Sequence, residues 1–439
     1  MSAPLILGTN SIKDVGYNVD NSLRFDDGSS DYLSRSLAST NTSWTFSTWV
    51  KRCKLGDGTV NSINYLISWG TSGTDATGIA FERDDKLTYY SESAPDNKQK
   101  KTSAVYRDVS AWYHVVVKSD SNTITMYVNG EEPTQAWTVG SSGNPLDTST
   151  MNIGKWVTSA YYLDGYLAET VFVEGTALNP TSFGEFDEDT GIWKPIDVSG
   201  LTFGTNGFYL DFEDTVNNLT SIDQTTDTCT NNYAVLNPLA YRLDSGVSKP
   251  TYSDGNTTVS YASDGGAGKS SMGTICFDTG KWYWEYKVNS ANDTVFGGIT
   301  RADYDPNDNF AGRSIYYNKT GALSVGTGTG GTADGSYGNS YTTGDIISVA
   351  FDCDNGVIWF AKNGTWQNSA TQAEIEAGTT TNSATTGITL NQFWSPFLEG
   401  ADSGMSINFG NPAFSITSGN SDGNGYGNFE YSVPSGYYS

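Results

Sequence analysis

Two segments with the pattern of a β-hairpin, more than 200 residues apart, most strongly constrain how this chain folds. Residues 112–130 and residues 344–364 each contain two β-rich stretches, a turn rich in Asn, Asp, Ser or Gly, and a closing Asn-Gly pair. Asn-Gly suits a tight hairpin turn because both residues tolerate a positive φ. In the first segment Ile124, Met126 and Val128 alternate with Thr and Tyr, which predicts one buried face. The wide separation indicates two domains rather than an array of short repeats.

Strand-like stretches separated by turn clusters recur along the whole chain, and no long stretch has helical periodicity. The best helical segment, residues 371–377, is about two turns long. The composition agrees, because 49 Gly and 27 Tyr with only 17% charged residues favour strands and turns over helices. The sequence therefore predicts an all-β protein with two tandem antiparallel β-sandwich domains joined by a linker.

We expect five parts in the chain, of which the linker and the tail are marked by their composition. Residues 1–20 form an N-terminal arm and residues 21–213 form the first sandwich. Residues 214–250, rich in Asp, Thr, Asn and Ser, form the predicted linker. Residues 251–412 form the second sandwich, and residues 413–439 form a Gly- and Tyr-rich tail that we expect to lie over a surface. The arm and the tail are the two candidate segments for docking on a partner.

The charge and the terminal sequence restrict the partners and the compartment. The chain has 49 acidic and 24 basic residues, and its net charge of −25 argues against nucleic acid, because that partner is bound through basic patches. No run of about 18 apolar residues occurs, so no membrane insertion is expected. The N-terminus lacks the pattern of a secretory signal, and the four cysteines include no C-x-x-C pair. We expect free thiols in a protein made in a reducing cytosol.

The residue sets that most hydrolases need are absent from the sequence. His114 is the single histidine, and its position inside a predicted strand favours a structural role. Zinc chemistry of the H-E-x-x-H type needs two histidines, and no Gly-x-Ser-x-Gly or phosphate-binding glycine loop accompanies His114. The aspartates Asp26, Asp27 and Asp31 cluster near a turn, yet such clusters arise by chance in an acidic protein. We predict no catalytic residue, no metal site and no cofactor.

A series of short motifs in the first 213 residues resembles the LamG, concanavalin A-like lectin/glucanase superfamily. The motifs are SLRFD at 22–26, YL at 32–33, WTFSTWV at 44–50, WYH at 112–114, MYVNG at 126–130, DGYLAE at 164–169 and AL at 177–178. The resemblance implies a two-sheet jelly roll. Glucanases of this superfamily place their acids as Glu-x-Asp-x-x-Glu on one strand. The nearest match here is Glu185 and Asp187 followed by Thr190, which we interpret as a solvated acidic turn.

The second half of the chain resembles the SPRY family over about residues 250–412. The motifs that carry this resemblance are GKWYWEYKV at 280–288, FGGI at 296–299, the hairpin at 344–364 and FWSPF at 393–397. The resemblance implies a second two-sheet sandwich that acts as a binding module through loops at one end.

The combination of the two sandwiches resembles the surface proteins of bacteriophage particles. The opening at residues 16–25, GYNVDNSLRF, and the phrase at residues 230–238, TNNYAVLNP, are similar to segments of such proteins from marine phages. This resemblance implies synthesis in the cytoplasm of the host and a final location on the virion surface.

Aromatic residues flanked by predicted loops are the candidate ligand-binding residues, because sugars are held by aromatic faces and polar side chains on preformed surfaces. The SPRY resemblance adds Arg301 and the segment from Asn363 to Trp366. The full set is Trp69, Trp137, Trp156, Tyr161 and Tyr162 in the first domain, and Arg301, Tyr304, Asn363, Trp366 and Trp394 in the second.

These observations predict a non-enzymatic structural protein of a phage particle, such as a tail fibre, a knob or a capsid decoration. Its expected partners are host-surface carbohydrate and other virion structural proteins. We expect a homo-oligomer, with a trimer favoured, because surface copies of a particle repeat symmetrically. Two alternatives remain open: a depolymerase that hydrolyses polysaccharide, and a cellular SPRY-type adaptor that binds a peptide.

Overall fold

The computed structural model describes residues 17–72, 75–93, 97–158, 160–213, 224–243, 248–263, 269–303, 314–325, 332–385, 388–390 and 392–439. The described chain divides into two compact units with the boundary between Asn232 and Tyr233. β-strands are the main regular secondary structure of each unit, as the sequence predicts. Among the described residues, no helix is both long and apolar enough to cross a membrane.

The described part of the N-terminal unit contains sixteen strands and two short 3-10 helices, Val60–Ser62 and Pro180–Ser182. The strands are β1 Ser22–Phe25, β2 Leu33–Ser36, β3 Trp44–Arg52, β4 Asn64–Ser72, β5 Asp75–Phe81, β6 Leu87–Ser93, β7 Lys98–Thr102, β8 Trp112–Asp120, β9 Thr123–Val128, β10 Gln135–Val139, β11 Thr150–Ile153, β12 Gly165–Glu174, β13 Gly184–Phe186, β14 Trp193–Pro195, β15 Phe208–Leu210 and β16 Gln224–Thr225.

Two antiparallel sheets enclose the main core of the N-terminal unit. The first sheet has the order β16-β1-β12-β3-β8-β9, with β15 paired to β12, and the second has the order β10-β7-β6-β5-β4-β11-β2. Trp44 and Phe46 of the first sheet pack with Ile67 and Trp69 of the second in one buried cluster. The unit is therefore a sandwich whose apolar residues alternate into the space between the sheets.

The C-terminal unit contains fourteen described strands and one α-helix. They are β17 Leu236–Leu243, β18 Thr251–Ser253, β19 Thr258–Tyr261, β20 Lys269–Gly273, β21 Lys281–Ala291, β22 Val295–Arg301, β23 Ser314–Asn318, β24 Ala322–Val325, β25 Thr332–Ser336, β26 Ile346–Asp352, β27 Val357–Lys362, β28 Thr365–Trp366, α1 Gln372–Ala377, β29 Trp394–Gly400 and β30 Ser403–Asn408.

The C-terminal unit is a second sandwich with its own core. One sheet has the order β17-β20-β29-β22-β23-β24-β25 and the other the order β18-β19-β30-β21-β26-β27-β28. Ile299 and Leu398 of the first sheet pack with Trp284 and Val349 of the second. Helix α1 begins after Thr371, which forms a capping box with Glu374, and this confirms the helix predicted at 371–377.

Both predicted hairpins are present. β8 and β9 pair around Ser121 and Asn122, which have φ values of +49° and +67°. β26 and β27 pair in the second unit, and Asn363 has a φ of +47° in the turn to β28. The structure confirms the alternation in the first hairpin, because Ile124, Met126 and Val128 are buried. The Asn-Gly signals thus mark true turns in both units.

The segment 214–250 contains more regular structure than a linker. β16 pairs with β1 in the N-terminal unit, and β17 pairs with β20 in the C-terminal unit. The carboxylate of Asp227 is fully buried and lies 2.8 Å from the ammonium of Lys51, which is buried as well. Trp112 Nε1 donates a hydrogen bond to the same carboxylate at 3.2 Å. Polar residues of this stretch therefore take part in a buried network of hydrogen bonds and an ion pair. The polarity of the sequence alone does not distinguish such a network from a solvated connector.

The C-terminal tail is part of the second sandwich. Phe429 and Tyr437 are completely buried against Tyr283 and Trp359 on the outer face of the sheet that contains β21. The backbone N–H groups of Glu430 and Tyr431 donate to the buried carboxylate of Glu285 at 3.0 and 2.9 Å. The predicted arm, residues 1–20, lies outside the described residues up to position 16.

Candidate functional site

The predicted site residues of the N-terminal unit lie in three different environments. Trp69 is 1% exposed and packs edge-on against Trp44 in the core, with ring centroids 5.1 Å apart. Trp137 is half-buried on the edge strand β10 and contacts Tyr89 of the core. Trp69 therefore cannot contact a ligand from the surface, and Trp137 stands apart from the remaining candidates. The residues that come together are Trp156, Tyr161 and Tyr162.

The loop between β11 and β12 brings these three residues together. The backbone N–H of Trp156 donates to the carbonyl of Tyr161 at 2.9 Å, and Leu163 N–H donates to the Gly154 carbonyl at 2.8 Å. Gly154 has a φ of +80°, and a Cβ there would meet the ring of Phe25. The two limbs of the loop are thus held by backbone hydrogen bonds, and the turn at Gly154 requires glycine.

Trp156 fixes the loop to the outer face of the second sheet. Its ring centroid is 4.6 Å from that of Tyr65 on β4 and 5.9 Å from that of Tyr90 on β6. The indole covers Gly78 of β5, where a Cβ would lie 2.8 Å from the indole Cζ3. Glycine at this position therefore lets the indole lie directly on the sheet.

The resulting aromatic surface crosses five strands. The register pairs Tyr90 with Gly78, Gly78 with Ser68, Ser68 with Asn152 and Asn152 with Ser34. At about 4.8 Å per strand, these four steps span about 19 Å. We define the aromatic surface by the side chains that follow this line, Tyr90, Tyr65, Trp156, Tyr161, Tyr162 and Tyr32.

Exposure and polarity vary along the aromatic surface. Tyr32 is 40% exposed and Tyr161 and Tyr162 are half-buried, whereas Trp156 and Tyr65 are only 3% and 4% exposed and support the surface from below. The hydroxyl of Tyr90 donates to the Glu92 carboxylate at 3.1 Å, and burial with the nearby Glu92 charge raises the pKa of Tyr90 to about 12. The surface thus offers ring faces beside fixed hydrogen-bonding groups, which is the combination that binds sugars.

One cation lies at the Tyr32 end of the aromatic surface. The ammonium of Lys155 is 4.2 Å from the ring centroid of Tyr32 and 5.5 Å from that of Tyr162. The backbone carbonyl of Lys155 accepts a hydrogen bond from Ser68 Oγ at 2.6 Å, which holds the residue above β4. The lysine is therefore positioned both through its backbone and through two ring faces.

His114 is sealed inside the N-terminal unit. It is 1% exposed, and its ring lies between those of Trp49 and Trp193. Trp193 Nε1 donates to His114 Nδ1 at 2.9 Å, and His114 Nε2 lies 2.9 Å from Ser47 Oγ. Burial lowers the pKa of His114 to about 3. A neutral, enclosed imidazole with both nitrogens engaged has the structural role that the sequence predicts.

The acidic segments serve local turns. Asp187 accepts hydrogen bonds from the backbone N–H and the hydroxyl of Thr190, each at 2.8 Å, and these bonds lower its pKa to about 2. Asp26 likewise accepts from Gly28 N–H at 3.1 Å and from the Ser29 hydroxyl at 2.9 Å. Within the described ranges, no group of three or more His, Cys, Asp or Glu residues is arranged to hold a metal ion.

A cavity of about 420 Å³ lies where β2 and β11 of one sheet face β15 of the other. Arg35 donates to the Gly207 carbonyl at 3.4 Å, and its guanidinium lies 5.4 Å from the Phe208 ring. The lining is mainly apolar and consists of Leu33, Ser34, Arg35, Met151, Ile153, Phe208, Tyr209, Leu210, Asp211 and Phe212. So few polar groups suit a sugar less well than the aromatic surface does.

In the C-terminal unit, the candidates taken from the SPRY resemblance do not meet. Arg301 is the last residue of β22 and pairs with Trp394, whereas Val295 at the other end pairs with Gly400. Asn363 N–H donates to the Ile346 carbonyl, where β26 begins beside Lys287. The chain turns from β29 to β30 at Gly400, and β30 runs beside β21. Asn363 therefore lies at the same end of the sandwich as Gly400 and Val295, and Arg301 lies at the opposite end.

The other candidates of this unit are mostly enclosed. Trp394 is 6% exposed and belongs to the core, and Trp366 is half-buried beside the cluster that the tail covers. The Asn363 side chain accepts from Ile346 N–H and donates to Asp345, so it stabilises its own turn. Tyr304 lies outside the described residues. Arg301 and Trp394 are register partners, and Asn363 and Trp366 lie at one turn, but these two pairs are at opposite ends of the described sandwich and do not form one site.

Four residues of the site escaped the sequence-based selection: Tyr32, Tyr65, Tyr90 and Lys155. Tyr90 had a readable signal, because Leu87 and Tyr89 alternate with it and both are completely buried. Period-two alternation in β6 thus points Tyr90 outward. No local signal marks Lys155, since Tyr32, the ring nearest to its ammonium, comes from a distant part of the chain.

Comparisons with known proteins agree with this architecture. Residues 26–182 match the family model of the concanavalin A-like lectin/glucanases superfamily, and residues 281–379 match that of the SPRY domain, which confirms both resemblances. A search of curated proteins finds no match.

Two solved structures illustrate the similarity. The SPRY domain of human HERC1 is 16% identical, with a TM-score of 0.29, over 39% of this chain and 96% of that one. The native heptameric SAP-like pentraxin from Limulus polyphemus is 18% identical, with a TM-score of 0.27, over 37% of this chain and 78% of that one. The two matches with family models show that the chain combines a concanavalin A-like lectin/glucanase domain with a SPRY domain.

Proposed function

We propose that this chain is a non-enzymatic binding protein whose N-terminal unit holds a glycan on the aromatic surface. The observation that carries the proposal is the line of tyrosines beside Trp156 across the outer face of the second sheet. Ring faces stack on the apolar faces of sugars, while groups such as the Glu92 carboxylate accept hydrogen bonds from sugar hydroxyls. A surface about 19 Å long suits several units of an extended chain better than one monosaccharide.

The carboxylates support binding rather than hydrolysis. Retaining glycoside hydrolysis needs two carboxyl groups about 5–5.5 Å apart, one of them free to protonate the leaving group. Asp187 is engaged by its own turn, and Lys194 lies 3.3 Å from the carboxylates of both Glu185 and Asp187. The buried His114 offers no accessible base either.

We further propose that the protein is displayed on a bacteriophage particle, as a tail-fibre, knob or capsid-decorating component. The support is the sequence resemblance at residues 16–25 and 230–238 together with the pairing of the two binding domains. In this proposal the protein is made in the host cytoplasm, assembles as an oligomer, with a trimer favoured, and contacts neighbouring virion proteins. Mass spectrometry of purified phage particles tests this location. Absence of the protein from the particles would contradict the proposal that it is displayed on them.

Isothermal titration with polysaccharide from the host surface tests the binding function. We expect Tyr161→Ala and Tyr90→Ala each to weaken binding by about tenfold, because each removes a stacking face. Tyr127→Ala is the matched control, since Tyr127 is half-buried on β9 in the other sheet.

The assignment of the aromatic surface would be contradicted if all three variants lost the same amount of affinity for the polysaccharide, or if none of them lost any. Release of reducing ends from the same polysaccharide would favour the depolymerase alternative. Capture of one defined peptide by the C-terminal unit, with no association with particles, would favour the adaptor.

A further inference from the structure

We propose that the glycan held by the aromatic surface is acidic, and that Lys155 binds its carboxylate or sulfate group. This inference rests on the proposed function, because it names the class of sugar that the same surface selects. It goes beyond aromatic stacking, which attracts neutral and acidic sugars alike.

The first argument is the way in which the ammonium is held. Two tyrosine rings lie 4.2 and 5.5 Å from Lys155 Nζ, and these rings are 6.3 Å apart with an angle of 48° between them. Ring faces attract a cation through their quadrupoles but do not neutralise its charge. The two rings therefore restrict the position of the ammonium while its net charge persists.

The second argument is the lack of a competing anion within the protein. Among the described residues, Lys155 Nζ makes no ion pair and no hydrogen bond, although the chain has twice as many acidic as basic residues. Several other lysines of the N-terminal unit are engaged by carboxylates, in the pairs Lys51–Asp227, Lys54–Asp27, Lys101–Asp84 and Lys194–Asp187. Lys155 thus keeps three N–H donors for an anionic ligand.

The third argument is the polarity of the aromatic surface along its length. Lys155 lies above Ser68 on β4, whereas Glu92 follows Tyr90 on β6, two strands away. That separation is about 10 Å, which is comparable with the Debye length at physiological salt. An acidic sugar placed at the Tyr32 end is therefore screened from Glu92 and remains in direct contact with Lys155.

The net charge of −25 repels any polyanion at long range, so the salt concentration of the test has to be chosen with this repulsion in mind. Long-range repulsion weakens as salt rises, whereas a direct contact on a half-buried lysine is screened less. Measurements at 0.15 M salt therefore isolate the local contribution of Lys155.

The test compares one polyuronate with its carboxyl-reduced neutral form, and one sulfated polysaccharide with its desulfated form, by isothermal titration. We expect the wild-type protein to bind one acidic form about tenfold more tightly than its neutral counterpart. The pair that shows the preference identifies carboxylate or sulfate as the group recognised. Lys155→Gln is expected to abolish the preference, so that the acidic form and its neutral counterpart bind with affinities within about twofold of each other.

Two variants control for effects on folding and overall charge. Lys155→Arg keeps the cation and is expected to retain the preference. Lys118→Gln makes the same charge change at a lysine that also lies 5.5 Å from a tyrosine ring, that of Tyr127 in the other sheet, and is expected to bind as the wild type does.

Equal wild-type affinity for acidic and neutral forms, or a preference that survives in Lys155→Gln, would overturn this inference and leave the proposed function intact. No binding of any form would instead overturn the proposed function, and this inference with it.

Discussion

At the scale of single residues, Glu169 is the most unusual group in the N-terminal unit. It is 6% exposed, has a φ of +47° and lies at a bulge where β12 shifts its register against β3. The hydroxyls of Tyr17 and Tyr209 lie 2.9 and 2.8 Å from Glu169 Oε2 and 3.0 Å from each other. The three oxygens therefore form a closed triangle with a hydrogen-bond distance on every side.

The number of protons in this triangle indicates the charge of Glu169. Three hydrogen bonds need three protons, and the two phenols supply only two. With a carboxylate, both phenols donate to Glu169, so the contact between Tyr17 and Tyr209 has no proton. A protonated Glu169 completes the ring of donors. Burial, with Asp211 and Asp197 adding to it, outweighs the opposing hydrogen bonds from Tyr209 and Tyr17 and raises the pKa of Glu169 to about 7.

We predict that Glu169 makes the stability of the N-terminal unit depend on pH. Because its pKa is higher in the folded state than its ordinary 4.5, the free energy of unfolding falls as pH rises from about 4.5 to about 7, and then levels off. The loss attributable to Glu169 is about 3 kcal/mol. Urea unfolding of the wild type and Glu169→Gln between pH 5 and 8 measures it. Parallel pH profiles for the two proteins would contradict the assignment.

At the scale of elements, the C-terminal tail shows how a Gly-rich segment without regular structure becomes part of a core. Glu285 is completely buried, and it accepts from Tyr283 Oη at 2.8 Å as well as from two tail N–H groups. The ring of Phe429 packs edge-on against Tyr283 at 5.2 Å. The tail is thus attached to the sheet by backbone N–H donors and by buried aromatic rings rather than by pairing as a strand.

We predict that deleting residues 428–439 destabilises the C-terminal unit and leaves the N-terminal unit unchanged. The deletion removes two donors from a buried carboxylate and exposes apolar rings, which together amount to at least about 3 kcal/mol, or roughly 6–12 °C in Tm. Differential scanning calorimetry of the full chain separates the two transitions. Glu285→Gln, which keeps the size and one acceptor oxygen, should lower Tm less. An unchanged transition after the deletion would show that the tail adds no stability.

At the scale of the whole molecule, the position of the boundary between the units determines which residues each unit needs for its stability. β16 and the buried Asp227 belong to the N-terminal unit, while β17 belongs to the C-terminal one. Lys51 and Asp227 are 176 residues apart, and each side chain is fully buried. Removing one partner of such a pair leaves an uncompensated charge in the interior.

We predict that residues 1–232 and 233–439 fold as separate fragments, whereas a fragment ending at 213 is impaired. The shorter fragment lacks Asp227 and should lose roughly 3–5 kcal/mol relative to the fragment 1–232. Near-UV circular dichroism and urea unfolding of the fragments 1–232 and 1–213 measure the difference. Equal stability would mean that the network around Lys51 contributes nothing, and failure of both fragments to fold would refute independent units.

The sequence predicted much of the fold and part of the candidate site. The hairpins were readable because Asn-Gly turns act within a few residues, and the short helix was readable as the one stretch of about two turns that suits a helix. Tyr161 and Tyr162 were found because loop residues favour surfaces, but the same reasoning selected Trp69, Trp156 and Trp394, which are buried. Arg301 and Asn363 were grouped by family resemblance, although the register of the strands separates them.

The sequence by itself determined the all-β class, the two-sandwich organisation, the turns of both hairpins and the acidic charge, because local backbone preferences and composition act without reference to distant residues. Only the tertiary structure decided that Asp227 is buried on Lys51, that aromatic rings of the tail are completely buried on a sheet, and that Tyr32, Tyr90 and Lys155 share one surface. Burial and proximity depend on which strands pair and in which register, and in a sandwich those partners come from opposite ends of a domain.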